Sequence, residues 1–347
     1  MTDRIIRIAI DAMGGDHAPD VQVEGCIDAV RAYPDVEVTL VGQESLIDEC
    51  IDNLNTADKP ITSAVRNRIK LVHADEVIDM SDAPARAIRS KKGSSIVIAN
   101  SLCRSGDVEA VISAGNTGAA MASSLLYMGR LKGVSRPAIT TLFPSKKGPV
   151  SVLDLGANTD CKPEHIYQFA VMASVFVSHL IGIEKPRVGL LSIGEERSKG
   201  NELTIGAYDL LENSDLNFIG NVEGRDIFAG IADVIVCDGF VGNVLLKFGE
   251  SIFDFITFSI RKSIERSVWR KIGALLLKPV FKEIKADMSP EDYGGAPLLG
   301  VDGISIICHG NSTPYAIQNA IRVARQLVLE NVNGLIKTEL AKTKIGK

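Results

Sequence analysis

Aromatic residues are scarce in this 347-residue chain, 5% of the total with a single tryptophan. No uninterrupted apolar stretch reaches the ~20 residues that a membrane-crossing helix needs, so no transmembrane helix is expected. The six cysteines, Cys26, Cys50, Cys103, Cys161, Cys237 and Cys308, lie far apart with no CxxC pair. That spacing argues against a zinc site or disulfide framework and reads as buried thiols in a reducing compartment. An excess of basic charge is also missing: the formal net charge is -5, which argues against a general nucleic-acid binder. The amino-terminal residues pass through Arg4 straight into a strand pattern without a signal-peptide pattern, so a cytoplasmic setting is expected.

What the chain does have is 46% apolar residues and 31 glycines, a composition that fits short strands and crossover helices. Ile5 to Ile10 is a short apolar run that stops at Asp11 and opens into Met13-Gly14-Gly15-Asp16-His17-Ala18-Pro19. The same arrangement recurs at VEAVISAGNTGAA, VSVLDLGANTD, VGLLSIGEERSKGNE, ADVIVCDGFVGN and ISIICHGNS. Each places glycine with Asp, Asn, Ser, Glu or His just past the carboxyl end of a candidate strand, where open α/β sheets bind ligands. The remaining chain reads as a scaffold that brings these turns together. Strands are expected at 36–41, 69–72, 108–113, 138–143, 150–155, 188–193, 217–222, 232–237 and 300–309. Helices are expected at 21–32, 45–54, 96–105, from Pro163 to about Leu180, and at about 315–330. The pattern implies an α/β fold, either as two regions around a shared cleft with a transition within 130–147, or as one continuous sheet. Residues 287–295 read as a polar Pro/Gly-rich connection, and the Lys-rich tail after Leu335 as a mostly solvated end.

Several of these turns carry candidate chemistry. In Gly115-Asn116-Thr117-Gly118, exposed amide hydrogens and the dipole of the following helix favour an anion, although the glycines also let that helix pack close to the sheet. The most charged turn spans 194–202, where Lys199 could neutralise a phosphate and Asn201 orient an oxygen. A solvated loop with internal ion pairs is the alternative there. The turn at Asp238, with Asn243 and Lys247 beyond it, offers phosphate or thioester contacts or a stabilised helix entrance. Histidine as a residue type can exchange a proton near neutral pH, so His309 suits proton transfer, unless it is buried and bonded to the backbone. Arg86 and Arg89 lie in a helix beginning near Asp82, where substrate charge competes with an ordinary helix-end explanation.

A different pattern begins at Phe248. Ile252, Ile256, Ile260, Ile264, Val268 and Ile272 recur every four residues, a spacing that drifts around a helix and implies broad burial rather than one straight seam. Arg261, Lys262, Arg266, Arg270 and Lys271 make the local field positive. Trp269, Ile272, Leu275, Leu276 and Leu277 precede Pro279, which implies a helical break or hairpin with an apolar tip, either at a membrane interface or packed in a dimer.

Taken in order, AIDAMGGDHAP, SDAPARAIRSKKGSS, VISAGNTGA, LDLGANTDCKPEHIYQFA, LLSIGEERSKGNE, NFIGNVEGRDI, CDGFVGNVLLK and YGGAPLLGVDGISIICHGNS closely resemble the bacterial phosphate acyltransferase family of phospholipid synthesis. The resemblance runs from Ile8 through almost the whole C-terminal region. It implies an isopropylmalate-dehydrogenase-like α/β/α sandwich, with residues 1–347 forming one two-lobed catalytic unit and 248–285 an embedded, projecting helical hairpin. It also implies a homodimer, and neither cofactor nor metal. The implied reaction transfers a long-chain acyl group from acyl carrier protein to inorganic phosphate, giving acyl phosphate for glycerophospholipid synthesis. Dibasic phosphate is already a nucleophile, so direct attack needs only alignment with the thioester carbonyl and donors for the developing oxyanion. The expected phosphate-positioning residues are Gly115, Asn116, Thr117, Gly118, Lys199 and Gly200, with Asn201 beside them and Asp11, His17, Asp238 and His309 as orienting groups. The arm's Arg261, Lys262, Arg266, Arg270 and Lys271 are expected to attract carrier protein or anionic lipid. Trp269, Ile272, Leu275, Leu276 and Leu277 are expected to form the membrane tip. Reversible peripheral attachment to the inner face of the cell membrane follows, with possible contact to a membrane glycerol-phosphate acyltransferase and no nucleic-acid partner. A phosphate acetyltransferase-like enzyme using acyl-coenzyme A and a noncatalytic membrane scaffold are the alternatives.

Overall fold

The computed structural model describes residues 4–287 and 290–342. Short β-branched runs form the strands, as their packing on a pleated surface favours. The first are β1 (Ile6–Asp11), β2 (Val36–Gly42), β3 (Ile69–His73) and β4 (Ala110–Ser113). Next come β5 (Ala138–Phe143), β6 (Val150–Leu153), β7 (Val188–Leu191), β8 (Phe218–Val222) and β9 (Val234–Val236), then β10 (Ala296–Leu299) and β11 (Ile304–Ile307). The helices are α1 (Asp20–Ala32), α2 (Glu44–Leu54), α3 (Ser63–Arg66), α4 (Pro84–Ser90), α5 (Ser95–Ser105), α6 (Thr117–Ser123) and α7 (Pro163–Leu180). They continue with α8 (Glu202–Glu212), α9 (Gly224–Ala229), α10 (Gly239–Glu265), α11 (Val268–Leu276), α12 (Lys278–Asp287), α13 (Pro314–Leu329) and α14 (Val332–Lys342).

All the strands among the described residues join one sheet of eleven, in the order β3-β2-β1-β4-β11-β10-β5-β6-β9-β7-β8. Of the two arrangements expected, the continuous sheet is the one formed. Because side chains alternate along a strand, Ile6, Ile8 and Ile10 enter a core shared with α1, α7, α13 and α14. Ala9, Val41 and Val111 enter a second core with α4, α5 and α6 on the other face. Helices thus cover both faces, which is the α/β/α sandwich.

Strand direction decides where the turns emerge. β1, β2, β3, β4 and β11 are parallel to one another. The antiparallel steps β11 to β10, β10 to β5 and β5 to β6 reverse the sense an odd number of times. The parallel group β6, β9, β7 and β8 therefore runs opposite to the β1 group. Turns after β1, β4 and β11 leave the sheet at one edge, and turns after β6, β7, β8 and β9 leave at the other. The expectation that all these turns gather at one mouth is corrected on this point.

Three further elements differ from expectation. β10 falls between the connection expected at 287–295 and the last strand expected at 300–309, in residues given no element, and it is an interior strand containing Pro297, paired with Ile306. Proline normally argues against an interior strand, and the flanking Gly294, Gly295 and Gly300, all at positive φ, resemble loop punctuation. Residues after Leu335 are not simply a solvated end: α14 continues to Lys342 and buries Val332 and Ile336. Residues 343–347 of that tail, like 288 and 289 of the expected polar connection, lie outside the described residues. Finally, the arm begins at Gly239 rather than Phe248 and breaks at Arg266-Ser267, ahead of the expected turn at Pro279. Pro279 stands in the first turn of α12, where its missing N–H costs nothing. Within one chain, Phe248, Ile252, Phe255 and Ile256 are exposed, so the broad burial expected for this segment is not supplied by the chain itself.

Candidate active site

The edge after β1, β4 and β11 is built around Asp11. Its carboxylate is buried at the end of β1, where Oδ1 accepts a hydrogen bond from Ser95 Oγ (2.5 Å) and Oδ2 one from Ser113 Oγ (2.6 Å). Burial pushes the Asp11 carboxyl above its ordinary range, and the two hydroxyls and the amides of Met13 and Gly14 oppose that only in part. Gly14 is required by space. A Cβ there would lie 2.5 Å from Asp11 Oδ2 and 2.8 Å from the Gly115 nitrogen. The β1 and β4 turns thus meet backbone to backbone above the carboxylate. Gly115 N–H donates to Ser113 Oγ (3.1 Å) and Asp16 N–H donates to the Gly310 carbonyl (2.8 Å), which ties in the β11 turn. The pocket enclosed by Asp11, Ser95, Ser113 and Asn116 has about 10 Å³, one water-sized space, so a substrate must lie outside it.

Asn116 does something other than expected. Its Oδ1 accepts from Ala119 N–H (3.0 Å), the N-cap bond of α6. Its amide nitrogen donates to the carbonyls of Met80 (3.0 Å) and Asp82 (3.2 Å). Both ends of the side chain are engaged, so it clasps the 79–82 loop to the mouth of α6 and does not offer a free oxyanion donor. The amides of Thr117 and Gly118 have no acceptor among the described residues, and they are the open donors of this helix start. His17 is exposed in the turn after β1, at the same sheet edge. His309 is exposed rather than buried, with Nε2 3.6 Å from Glu250 of α10. Glu250 was not among the residues singled out from sequence, since nothing local connects a mid-helix glutamate with a turn so far along the chain.

The opposite edge holds the other candidates. Asp238 Oδ1 accepts from the amides of Phe240 (2.9 Å) and Val241 (3.0 Å), capping α10. Asn201 and Thr204 cap α8 reciprocally. Lys199 is exposed and has no ion-pair partner among the described residues, and its stem lies over Gly194. Gly200 has φ +117°, and a side chain there would run into Thr204. α10 measures the separation: from its cap at Asp238 to Glu250 beside His309 is a helical run of roughly 18 Å. The structure therefore brings Asp11, His17, Gly115, Asn116, Thr117, Gly118 and His309 together. It leaves Lys199, Gly200, Asn201 and Asp238 apart from them.

Sequence reasoning missed Asp154. It is fully buried at the end of β6, and it accepts from Ile139 N–H (3.0 Å), Ala157 N–H (3.0 Å), Asn158 N–H (2.7 Å) and Asn158 Nδ2 (2.9 Å). Burial raises its carboxyl despite these donors. A Cβ at Gly239 would meet Asp154 Oδ2 at 2.8 Å, so this carboxylate seats the first turn of α10. The signal was present as a strand ending in Asp before a glycine turn, the pattern that drew attention to Asp11.

Residues 6–335 match the fatty acid synthesis protein family. The chain is 48% identical over 335 residues to the phosphate acyltransferase of Heliobacterium modesticaldum, spanning 96% of this chain and 98% of that protein. It is 49% identical over 336 residues to the phosphate acyltransferase of Desulfitobacterium hafniense, again covering 96% and 98%. Among solved structures, a phosphotransacetylase from Streptococcus pyogenes superposes with a TM-score of 0.59 over 94% of each chain at 16% identity, a likeness of fold.

Proposed function

Because the chain belongs to the fatty acid synthesis protein family, whose curated relatives are phosphate acyltransferases, we propose that it transfers a long-chain acyl group from acyl carrier protein to inorganic phosphate. A phosphate oxygen attacks the thioester carbonyl, a C–O bond forms, the C–S bond breaks, and acyl phosphate leaves with the carrier thiolate. The observation that carries this reading is the pair of open amides at Thr117 and Gly118, held on the Asp11–Ser95–Ser113 anchor at the sheet edge whose other turns carry His17 and His309. Those amides and the α6 dipole receive the phosphate or the carbonyl oxyanion. His309 or His17 in its protonated form supplies the proton that the departing thiolate takes up.

Direct transfer without an acyl-enzyme is supported by the thiols. Burial pushes Cys50, Cys103 and Cys308 to about 12 and Cys161 to about 11, while Cys26 and Cys237 are raised further, so none is poised as a thiolate. Ser95 and Ser113 already donate to a carboxylate, and neither has a histidine partner among the described residues.

Lys199 and Gly200 remain phosphate-positioning candidates on one condition. From the far edge they reach a phosphate held at α6 only if a second protomer presents them. A homodimer is supported independently by the exposed α10 stripe of Phe240, Val244, Phe248, Ile252 and Phe255, which one chain leaves uncovered. Beyond that stripe, Trp269 (81% exposed), Leu275 (69%) and Leu276 (76%) are available to an anionic membrane surface, with Arg270 and Lys271 alongside. No helix among the described residues is long and apolar enough to cross a membrane. Family membership sets aside a noncatalytic scaffold.

The deciding experiment supplies purified acyl carrier protein thioester and inorganic phosphate and follows acyl phosphate against free fatty acid. Phosphate-dependent acyl phosphate formation supports the proposal. Hydrolysis alone overturns phosphate as the acceptor, and transfer from acyl-coenzyme A only overturns the donor assignment.

A further inference from the structure

Beside the Thr117–Gly118 amides stands α4, and part of its charge is unexplained by the fold. A Cβ on Gly118 would lie 2.6 Å from Pro84 Cγ, so the first turn of α4 abuts the first turn of α6. α4 is fixed at both ends. The Asn116 clasp grips the loop before it, and after it Lys91 Nζ binds the Val77 carbonyl (2.8 Å) and Asp82 Oδ2 (2.7 Å). Ala87 and Ile88 face the core. Arg86, Arg89 and Lys92 face solvent, and none has an ion-pair partner among the described residues.

The nearby acids make their contacts elsewhere, and among the described residues none is paired with Arg86, Arg89 or Lys92. Asp75 pairs with His73, Glu76 accepts the Gly93 amide, and Asp79 and Asp82 pair with Lys91. Arg86 and Arg89 are three residues apart on one helix face, a like-charge pair that weakens an isolated helix. The helix dipole accounts for Arg89 in the last turn. It opposes Arg86, which lies in the first turn, where a cation is disfavoured. Met80, 52% exposed, adds an adaptable apolar contact at the edge of the patch. The cations stand on a convex helix rather than in a cavity, a geometry that meets a protein surface better than it encloses a small anion.

We propose that α4, through Arg86 and Arg89 with Lys92 and Met80, is the docking surface for the acidic carrier protein that delivers the acyl thioester to the Thr117–Gly118 edge. The proposal deepens the acyl-transfer reading and rests on it. It moves carrier docking from the arm's Arg261, Lys262, Arg266, Arg270 and Lys271, which flank the apolar tip and are left to lipid.

The test measures fluorescence anisotropy of labelled holo acyl carrier protein against wild type, Arg86→Glu/Arg89→Glu, and Arg261→Glu/Lys262→Glu. Arg86→Gln/Arg89→Gln serves if charge reversal disturbs folding. The expected result is affinity weakened about tenfold or more and a shallower salt dependence for the α4 variants only. In the transfer assay the same variants raise the KM for acyl carrier protein while kcat and the KM for phosphate hold. A carrier variant with a surface glutamate changed to lysine should recover affinity for Arg86→Glu/Arg89→Glu. Unchanged affinity in both α4 variants, or loss confined to the arm variant, overturns the docking surface and leaves acyl transfer standing. Carrier binding that depends on α4 but yields no acyl phosphate overturns the reaction and leaves the docking surface standing.

Discussion

The buried carboxyls of Asp11 and Asp154 behave differently from the surface acids. Asp11 is raised by burial, so the fold favours its protonated form. Its contribution to stability is fully present below the unfolded pKa near 4 and is lost as pH rises through the higher folded value. Urea denaturation of wild type and Asp11→Asn should show wild type losing ground to the variant as pH rises above the ordinary carboxyl range. A difference that stays flat over that rise contradicts a buried titrating carboxyl at this position. Asn116→Ala removes a cap and a loop clasp together and should cost about 1–2 kcal/mol. Asn116→Ser restores the cap but is too short to hold the 79–82 loop. Hydrogen exchange should therefore quicken at 77–84 in both variants, whereas only alanine loses the cap contribution. Slow exchange there in the serine variant would show that the Met80 and Asp82 bonds do not hold the loop.

Among the elements, α14 and the arm make opposite predictions from similar apolar content. Ile336 is fully buried beneath α14, so Ile336→Ala should cost about 2–4 kcal/mol in chemical denaturation, a loss that a merely solvated tail would not show. Leu276 is 76% exposed at the end of α11. Leu276→Glu should leave stability within about 0.5 kcal/mol and dimer mass unchanged, while cosedimentation with anionic vesicles falls. Loss of the dimer instead would place Leu276 in a protomer contact and require the membrane tip to be redrawn. Sequence alone does not separate these two cases, because hydrophobic periodicity records that a face will be covered without recording by what.

For the whole molecule, the reversal of strand sense between the two halves has a functional consequence. If Lys199 of one protomer serves the Thr117–Gly118 edge of the other, Lys199→Ala and His309→Ala place their defects in different halves of each composite site. Each variant alone should transfer acyl groups poorly. A random mixture of the two, co-refolded or co-expressed, should recover about a quarter of wild-type turnover, since half the dimers are mixed and each mixed dimer keeps one intact site. Native mass spectrometry confirms that mixed dimers form. Mixed dimers without recovered activity would remove Lys199 from the shared site.

What the sequence determined by itself is what depends on neighbours a few residues away. Pro163 opens α7 and Leu180 ends it as the pattern indicated, and the strand-to-glycine turns at Asp11, Gly115 and His309 are where expected. Those features follow from side-chain periodicity, proline geometry and turn chemistry, all of which act locally. Tertiary structure alone decided which edge each turn occupies, because that depends on β10, a proline-bearing strand inserted between β11 and β5 from far along the chain. It also decided that Asn116, Asn201 and Asp238 use their side chains as caps, and that Asp154 is buried. A polar side chain after a strand has the same local appearance whether it faces substrate or a helix start. Only the amides that the fold brings within hydrogen-bonding distance separate the two roles.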